Sequence, residues 1–545
     1  MSSKMTRTST VRAALVLVAV AAISLLGAGP LRADPGYLVA APDRGFLGNE
    51  EARDLRDDLR ETYPATELWI VTDERTEDHL RSALERLRAR EGVDRVVVLP
   101  LFLSRHHALY ATARTAAEEI GDGALRWAPP LGESYLAEEI LFDRVETLSG
   151  VSAEERLVLV GAGADSRASA DSIRDALAPL ADRATRKFGM ADSARVEVLY
   201  HGSAPDSLAG TGLEAVGDGA GAVASDGVTP VVVPFGFARR YTAMMSDWNW
   251  LGRSVAPHGA AYSGHPVLPH DAAADWLRRT ATRHRTLERD EVGVIFVPHG
   301  SDYNWNETMR EGIAPVAEDY MSEEAFSMVD PVVLERAIRS LEDRGAKAAV
   351  VVRIFSLESS FRKKARYVMG LRPDYPRFPH RIRTHLELHT LGGIETSPHL
   401  VDALADRVRS LSEAPSRETV IVLAHGAGDS ARHEHWMDNL EEIAGGLAER
   451  TGNRFRDYRY HSWREDWPEH REESLETIRG MVREASEGEG TAIVVPARTA
   501  ASGPARANLE GLDFRYGTGF APHPAFAEWL RRTVEEGMEA VRTPE

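Results

Sequence analysis

The chain repeats one order of elements four times, and this repeat constrains its fold more than any other feature. Each copy opens with an apolar strand that runs into a small-residue turn, and a second apolar strand follows later and ends in a polar loop. The opening strands read YLVAAPDRG, LVLVGAGADS, VIFVPHGSDY and VIVLAHGAGDS. The second strands read VVVLPLFLSRHHALY, PVVVPFGFARRYTAM, AVVVRIFSLESSFRK and AIVVPARTAASGPAR. The copies span residues 36–150, 155–285, 290–412 and 417–540, and they predict four lobes.

The spacing of apolar residues predicts the fold class of each lobe. The strand segments are runs of Val, Ile and Leu without polar alternation, as in strands buried on both faces of a parallel sheet. Between them lie stretches with a period near 3.6 residues, such as EEARDLRDDLRETY, which predict helices. The sequence therefore predicts repeated three-layer α/β lobes with mostly parallel sheets. In such sheets, functional groups gather beyond the carboxyl ends of the strands.

The composition excludes several kinds of chemistry. The formal net charge is -19 over 545 residues, which argues against a nucleic-acid partner because binding phosphates requires a basic face. The chain has no cysteine, so thiolate catalysis, disulfides and cysteine-ligated metals are excluded. Metal ligands would have to be His, Asp, Glu or water.

The first 33 residues have the pattern of a secretory signal peptide. A basic segment, MSSKMTRTSTVR, precedes an apolar run of about 17 residues, and small residues lead to a cleavage point before Asp34. An uncleaved membrane anchor is the alternative, but the run is at the short limit for a span. We expect export to the periplasm or beyond, and no second run is long enough to hold the mature chain in a membrane.

Histidines follow the first strand in two copies. His299 and His425 each stand directly before a glycine, and the equivalent positions in the first two copies are Asp43 and Ala162. A single histidine after a strand is more often structural, as a cap or a turn residue. Two histidines at equivalent positions favour a functional role, at the sheet edge where this fold class carries its chemistry.

The loops after the second strands differ more between copies. The first copy has His106 and His107, of which either one matches the functional position, and the second has Arg239 and Arg240. The third copy has Glu358, followed by basic residues that could pair with it at little energetic gain. No single copy carries both histidines, so a two-histidine site would need groups from different lobes.

Several other residues allow both a structural and a functional interpretation. Tyr303 and Trp305 follow the third copy's first strand and could face a flat ligand or cover the end of the sheet. A Pro-His pair before a helical pattern recurs at His270, His399 and His523, where a structural role at the helix start is favoured.

Three further histidine motifs are assigned weaker roles. His433 and His435 could chelate a metal only from an extended backbone, whereas the segment favours a helix in which the two diverge. His201 and His461 follow inner strands, and we expect them at strand ends with at most a role at the rim of a site.

The motifs VPHGS and LAHGAGDS, together with VVVLPLFLSRHH, resemble the class II chelatases. These include sirohydrochlorin chelatase, the cobalt chelatase of anaerobic cobalamin synthesis and, more distantly, protoporphyrin ferrochelatase. The resemblance covers nearly all of the chain after the signal segment, as four lobes where the family usually has two. It implies flavodoxin-like lobes around a cleft, and the insertion of a divalent metal into a tetrapyrrole.

The resemblance also implies roles for individual residues. His299 would be the base and a metal contact, Glu358 the proton relay, and His425 a second ligand from the facing lobe. His106 or His107 matches a further metal-binding position of the family. Arg239 and Arg240 could hold substrate carboxylates, and Tyr303 and Trp305 could contact the macrocycle.

Three hypotheses follow. The first is a chelatase of the lyase class that inserts cobalt, nickel or iron into a tetrapyrrole such as sirohydrochlorin. The second is a non-catalytic protein that binds metal or tetrapyrrole on the same scaffold. The third is a scaffold without a small-molecule role, which the eroded motifs of copies two and four would fit. The sequence leaves the metal, the macrocycle, the pairing of lobes and the oligomeric state open.

Overall fold

The structure is a computed structural model that describes residues 34–90, 92–120, 125–240, 247–500 and 505–543. The predicted signal segment, residues 1–33, lies outside this range. Within the described residues, no helix is both long enough and apolar enough to cross a membrane.

The described residues form four sheets, and every strand pair in them is parallel. Three of the sheets share one strand order, in which the first strand of the lobe lies between its second and third and the fourth follows the third. The second lobe has three strands in the same order, and a parallel bridge from Val231 to Ala261 occupies the place of the fourth. The prediction of repeated, mostly parallel α/β lobes is confirmed.

The elements of the first two lobes alternate strand and helix along the chain. In lobe 1 they are β1 (Gly36–Pro42), α1 (Gly45–Thr62), β2 (Thr66–Val71), α2 (Thr76–Arg88), β3 (Val96–Pro100), α3 (Ala108–Ile120), β4 (Leu125–Trp127) and α4 (Tyr135–Leu148). In lobe 2 they are β5 (Glu155–Ala164), α5 (Arg167–Phe188), β6 (Arg195–Tyr200), α6 (Thr211–Ser225), β7 (Thr229–Pro234), α7 (Asp247–Val255) and α8 (Asp271–Arg283).

The last two lobes repeat the pattern. In lobe 3 they are β8 (Val292–Pro298), α9 (Tyr303–Ala317), β9 (Met321–Glu324), α10 (Pro331–Asp343), β10 (Ala348–Ile354), α11 (Arg362–Val368), β11 (Glu387–Gly392) and α12 (Pro398–Leu411). In lobe 4 they are β12 (Glu418–Ala424), α13 (Ser430–Arg450), β13 (Asp457–Ser462), α14 (Pro468–Ala485), β14 (Thr491–Pro496), α15 (Ala505–Asn508), β15 (Arg515–Tyr516) and α16 (Pro524–Arg542).

Helix ends follow local chemistry. Ser166 caps α5 through a reciprocal pair of hydrogen bonds with Ser169, and Gly189 ends that helix in the left-handed region at φ +64°. His270 and His523 are the N-caps of α8 and α16, where each imidazole accepts a hydrogen bond from the backbone N–H two residues later. These Pro-His pairs therefore have the structural role that the sequence favoured.

The lobes pair as 1 with 2 and 3 with 4, because the last helix of each lobe packs on its partner. Helix α4 of lobe 1 contacts β7 and α5 of lobe 2, while α8 of lobe 2 contacts β3 and α1 of lobe 1. In the second pair, α12 packs on β14 and α13, and α16 packs on β8, β10 and β11. One apolar core spans lobes 1 and 2 and another spans lobes 3 and 4. The two lobes of each pair thus share one apolar core.

A buried ion cluster joins the two pairs. Arg381 of lobe 3 is 1% exposed and donates to Glu139 at 2.6 Å and to Glu138 at 3.2 Å, both on α4. The Tyr135 hydroxyl donates to the carbonyl of Ile382 at 3.0 Å. Breaking a buried pair of this kind costs about 3–5 kcal/mol, so the cluster fixes how the pairs sit together.

Candidate functional site

His299 lies at the carboxyl end of the lobe 3 sheet, directly after β8. Its Nδ1 is 2.7 Å from the carbonyl oxygen of Gly300. Because a carbonyl can only accept, Nδ1 carries the proton and Nε2 keeps its lone pair. The ring is exposed, and the rings of Trp305 and Phe355 lie edge-on with centroids 6.3 and 6.1 Å away. This tautomer can accept a proton or contact a metal through Nε2.

Glu358 lies in the loop after β10, where two arginines hold its carboxylate. Arg362 donates to one carboxylate oxygen at 2.8 Å and Arg353 to the other at 3.5 Å. Arg353 also donates to the backbone carbonyl of Glu358 at 2.7 Å. Both carboxylate oxygens of Glu358 are thus already engaged by guanidinium groups.

The pairing of imidazole with carboxylate that we expected in lobe 3 is formed in lobe 4. Nδ1 of His425 is 2.7 Å from Glu465, and its Nε2 is 3.1 Å from Asp466. Arg498 donates to the same Glu465 oxygen at 2.5 Å, and the ring of Trp467 lies 5.3 Å from the imidazole. Burial alone would raise the pKa of Glu465, but the hydrogen bond from His425 and the charge of Arg498 outweigh it and lower that pKa.

Three neighbouring strands position this cluster. His425 follows β12 directly, Glu465 follows β13 and Arg498 follows β14, and these strands are adjacent and parallel. Sequence reasoning missed Glu465 and Arg498. They could have been found from their positions, because each is a charged residue two or three positions after the end of a strand next to β12. The ends of neighbouring parallel strands meet at one edge of the sheet.

A second pair of histidines meets between lobes 1 and 2. The rings of His107 and His201 are 5.8 Å apart, and Nδ1 of His201 is 3.6 Å from Asp73. His107 packs on Gly163 at the end of β5, where an added Cβ would approach the ring to 2.0 Å. Burial, and then the charges of His201 and Arg44, lower the pKa of His107 to about 3. The structure thus selects His107 as the inward histidine.

His106 has a different setting from its neighbour. Its side chain is exposed, and its backbone N–H donates to the Ser104 hydroxyl at 3.1 Å. The contact between His107 and His201 crosses lobes, as the split motifs required, but it joins a pair that the sequence did not suggest.

Hydrogen bonding divides the histidines into two classes. In four of them Nδ1 accepts a backbone N–H two residues later, which leaves the proton of the neutral ring on Nε2. These are His107, His201, His270 and His523. Such a ring has no free lone pair for a metal while the cap is intact. Among the predicted metal contacts, His107 has this cap, whereas His106, His299 and His425 show none within the described residues.

The predicted substrate-binding residues lie at two separate places. Arg239 donates to the carbonyl of Gly264 at 3.0 Å, and Arg240 is exposed beside Gly45 of lobe 1. Tyr303 and Trp305 lie instead in the first turn of α9 in lobe 3, near His299; Tyr303 is 75% exposed, and Trp305 packs partly on the shared core of lobes 3 and 4.

The space between the sheet tips of lobes 3 and 4 is small. A cavity of about 10 Å³ lies there, lined among others by Glu395, Trp436 and Arg498. This is room for about one water molecule. Glu395 closes the gap, because it accepts from the Glu358 backbone N–H and lies 3.2 Å from Nε2 of His435. A ligand the size of a tetrapyrrole needs hundreds of Å³ and does not fit in this cavity.

The HEH segment is helical, as the sequence favoured. His433 and His435 lie in the first turns of α13 and point apart: His435 contacts Glu395, whereas Nδ1 of His433 is buried without a hydrogen-bond partner among the described residues. In the part of the chain that the structure describes, no three His, Asp or Glu side chains are arranged as a preformed metal site.

One comparison with known proteins, a family model, agrees with the motifs. The sequence model of the CbiX family matches residues 46–148. No curated protein matches the chain. A solved structure of a multi-domain protein from Deinococcus radiodurans, described as similar to chelatases with two additional novel domains, matches with 18% identity and a TM-score of 0.33. That match covers 46% of this chain and 56% of the other, about half its length. The family match bears out the resemblance to class II chelatases for residues 46–148, the part of the chain that the family model covers.

Proposed function

We propose that this protein brings a divalent metal ion to a tetrapyrrole and inserts it, as a chelatase. The observation that carries the proposal is the cluster of His425, Glu465, Asp466 and Arg498 at the tips of adjacent strands. Cobalt, nickel and iron are the candidate metals, and sirohydrochlorin is the candidate macrocycle.

The metal contact follows from the hydrogen-bond capacity of His425. A neutral imidazole has one N–H and can satisfy one of the two carboxylates beside it. If Nδ1–H donates to Glu465, Nε2 offers a lone pair 3.1 Å from an Asp466 oxygen. Two ligand atoms bound to one divalent ion lie about 3 Å apart, so this pair has the spacing of two metal ligands. Glu465 orients the ring, as carboxylates behind metal-bound histidines commonly do.

His299 is the proposed base. Pyrrole N–H protons must leave as the metal enters, and a neutral imidazole with a free Nε2 is suited to take them. Its ring is exposed, so the proton can pass directly to solvent. Tyr303 and Trp305 are proposed to contact the macrocycle once lobes 3 and 4 part. Glu358 is the weaker part of the predicted pair, since Arg353 and Arg362 already hold its carboxylate.

A second candidate is a non-catalytic protein that captures metal or tetrapyrrole. The ion pairs of Glu358 and the cavity of about 10 Å³ favour this candidate. Turnover needs an accessible acid–base group and an open site, whereas the carboxylate of Glu358 is held by arginine and the cavity is small. Loss of turnover would leave the metal contacts of His425 intact.

The test measures the rate of metal insertion from the change in absorbance of the tetrapyrrole. Purified protein starting at Asp34 is mixed with sirohydrochlorin and Co²⁺, Ni²⁺ or Fe²⁺, and the rate is compared with the uncatalysed reaction. His425→Ala and His299→Ala should each lower the rate by about 100-fold. His380→Ala is the matched control, because His380 is exposed and its Nε2 lies 3.2 Å from a carboxylate oxygen of Glu335, away from the proposed site.

The three outcomes separate the hypotheses. Equal rates for His425→Ala, His299→Ala and the control would contradict the proposed site. Stoichiometric binding of metal or macrocycle without turnover would establish the second candidate. No binding of either ligand would overturn both.

We also propose that the protein is exported, on the basis of the signal-like pattern of residues 1–33. The mature protein should begin at Asp34 when its amino terminus is sequenced after secretion. An intact Met1 in the secreted fraction would contradict cleavage.

A further inference from the structure

A separate cavity lies where lobes 1, 2 and 3 meet. Its volume is about 180 Å³. The start of α4 in lobe 1 and the end of α8 in lobe 2 line it, and Gly370 of lobe 3 closes one side. It is distant in the fold from the strand tips of lobe 4, and the proposed chelatase chemistry makes no use of it.

Positive charge is in excess at this cavity. Two of its lining residues, Arg279 and Arg283, share a single carboxylate, Glu387, with nitrogen–oxygen distances of 2.9 and 2.7 Å. Another lining residue, Glu133, accepts hydrogen bonds from Nε and Nη2 of Arg105, each at 2.6 Å, so its charge is already compensated.

Arg279 has an unused hydrogen-bond donor. Its side chain is 4% exposed, its Nε donates to Glu387, and its Nη1 donates to the Tyr135 hydroxyl at 3.0 Å. Its Nη2 is buried and has no hydrogen-bond partner among the residues that the structure describes. A buried, charged donor without a partner is costly, and it marks a place where a ligand or water is expected.

The amino-terminal end of helix α4 adds to the positive potential at the cavity. Helix α4 runs for 14 residues from Tyr135, and Ser134 and Tyr135 line the cavity at its amino-terminal end. The dipole of a helix favours negative charge at this end. The helix end and the two arginine side chains therefore lie on the walls of the same small volume.

We propose that this cavity binds a small oxyanion, such as phosphate or a short carboxylate. The volume of 180 Å³ is below the range of about 300–1,000 Å³ typical of larger ligands, which excludes a nucleotide or a macrocycle. Bound anion would contact Arg279 and Arg283 of lobe 2 and the start of α4 in lobe 1, and so stabilise the contact between these two lobes.

The experiment uses the full mature chain without added metal. Calorimetric titration with inorganic phosphate, and separately with acetate, is carried out at constant ionic strength in chloride. We expect saturable binding of one phosphate or acetate per chain. The unfolding temperature should rise by about 2 °C at ten times the dissociation constant, and then with the logarithm of the anion concentration. The two arms show whether the site prefers a tetrahedral or a planar oxyanion.

Three variants assign the binding to this cavity. Arg283→Gln should weaken binding at least tenfold, whereas Arg283→Lys, which keeps the charge, should retain most of it. Arg336→Gln is the control, because Arg336 is exposed on α10 away from the cavity. Should Arg283→Gln fail to fold, Thr280→Val tests the same wall, since Thr280 also lines the cavity. Absence of saturable binding to the unmodified chain, or equal binding by Arg283→Gln and Arg336→Gln, would overturn the proposal.

Discussion

Asp275 allows a sharp test of the junction between lobes 2 and 3. It lies on α8 with 18% of its side chain exposed, and His385 and Glu342 of lobe 3 face it; Nδ1 of His385 is 3.9 Å from Asp275 and 3.4 Å from Glu342. Burial, and then the charge of Glu342, raise the pKa of Asp275 to about 6, while Arg339 and Arg278 lower it. The ionised carboxylate is therefore disfavoured in the folded state.

The magnitude follows from this shift. The pKa rises from 3.8 to about 6, which corresponds to about 3 kcal/mol at 1.36 kcal/mol per unit. Because the folded pKa is above the unfolded one, this penalty is fully present above pH 6 and disappears as the pH falls towards 3.8. Asp275→Asn should thus stabilise the protein by up to about 3 kcal/mol at pH 7.5, and by about 1 kcal/mol at pH 4.5.

Urea unfolding followed by tryptophan fluorescence measures the difference at each pH. Burial lowers the pKa of His385, so this histidine changes the stability with pH in the opposite direction to Asp275. Comparing the variant with the unmodified chain at the same pH removes this contribution. Asp218→Asn on α6 is the control, because Asp218 is exposed and should change stability little at either pH. A gain at pH 7.5 no larger than that of Asp218→Asn, or one that does not shrink at pH 4.5, would refute the assignment.

Two further substitutions, Gly537→Ala and Gly163→Ala, test the packing between lobes, and Gly480→Ala is the comparison for the first. Gly537→Ala on α16 should destabilise the protein by about 1–3 kcal/mol, because the new Cβ would approach Val350 of lobe 3 to 2.3 Å. Gly480→Ala on α14 is the comparison, because its new Cβ would meet nothing within 4 Å. This change should stabilise the protein by about 0.5–1 kcal/mol in the same urea assay. Equal changes in stability from Gly537→Ala and Gly480→Ala would argue against the packing of α16 on lobe 3. Gly163→Ala should cost about 2 kcal/mol or more, since φ is +103° and the methyl would enter the ring of His107; a neutral change would contradict the inward position of that ring.

The fold was largely accessible from the sequence because its signals are local and repeated. The strand β8 is buried along its whole length, as the run VGVIFVP predicts, and the period of LERAIRSLEDRG matches α10. The pairing of lobes was not accessible, because an apolar helix face does not say which lobe covers it. Gly537 illustrates this: its fit against Val350 depends on a contact between lobes 4 and 3 that the repeat does not encode.

The site was predicted in part for the same reason. His425 stood out because it follows a strand and precedes a glycine, but its partners come from the loops of two other strands. Glu465 and Arg498 follow strands without any histidine motif, so only the parallel order of β12, β13 and β14 brings them to His425. His107 and His106 differ in the same way, since the nearness of Gly163 in lobe 2 decides which ring turns inward.

The central claim, that His425 contacts a divalent metal, is tested most directly by Co²⁺ binding. Calorimetric titration of the mature chain, with the cobalt absorption bands recorded in parallel, should give saturable binding with histidine coordination. We predict that His425→Ala and Asp466→Asn each weaken this binding at least tenfold, while His380→Ala leaves it unchanged. Cobalt binding of equal strength in His425→Ala and in the unmodified chain would contradict the account.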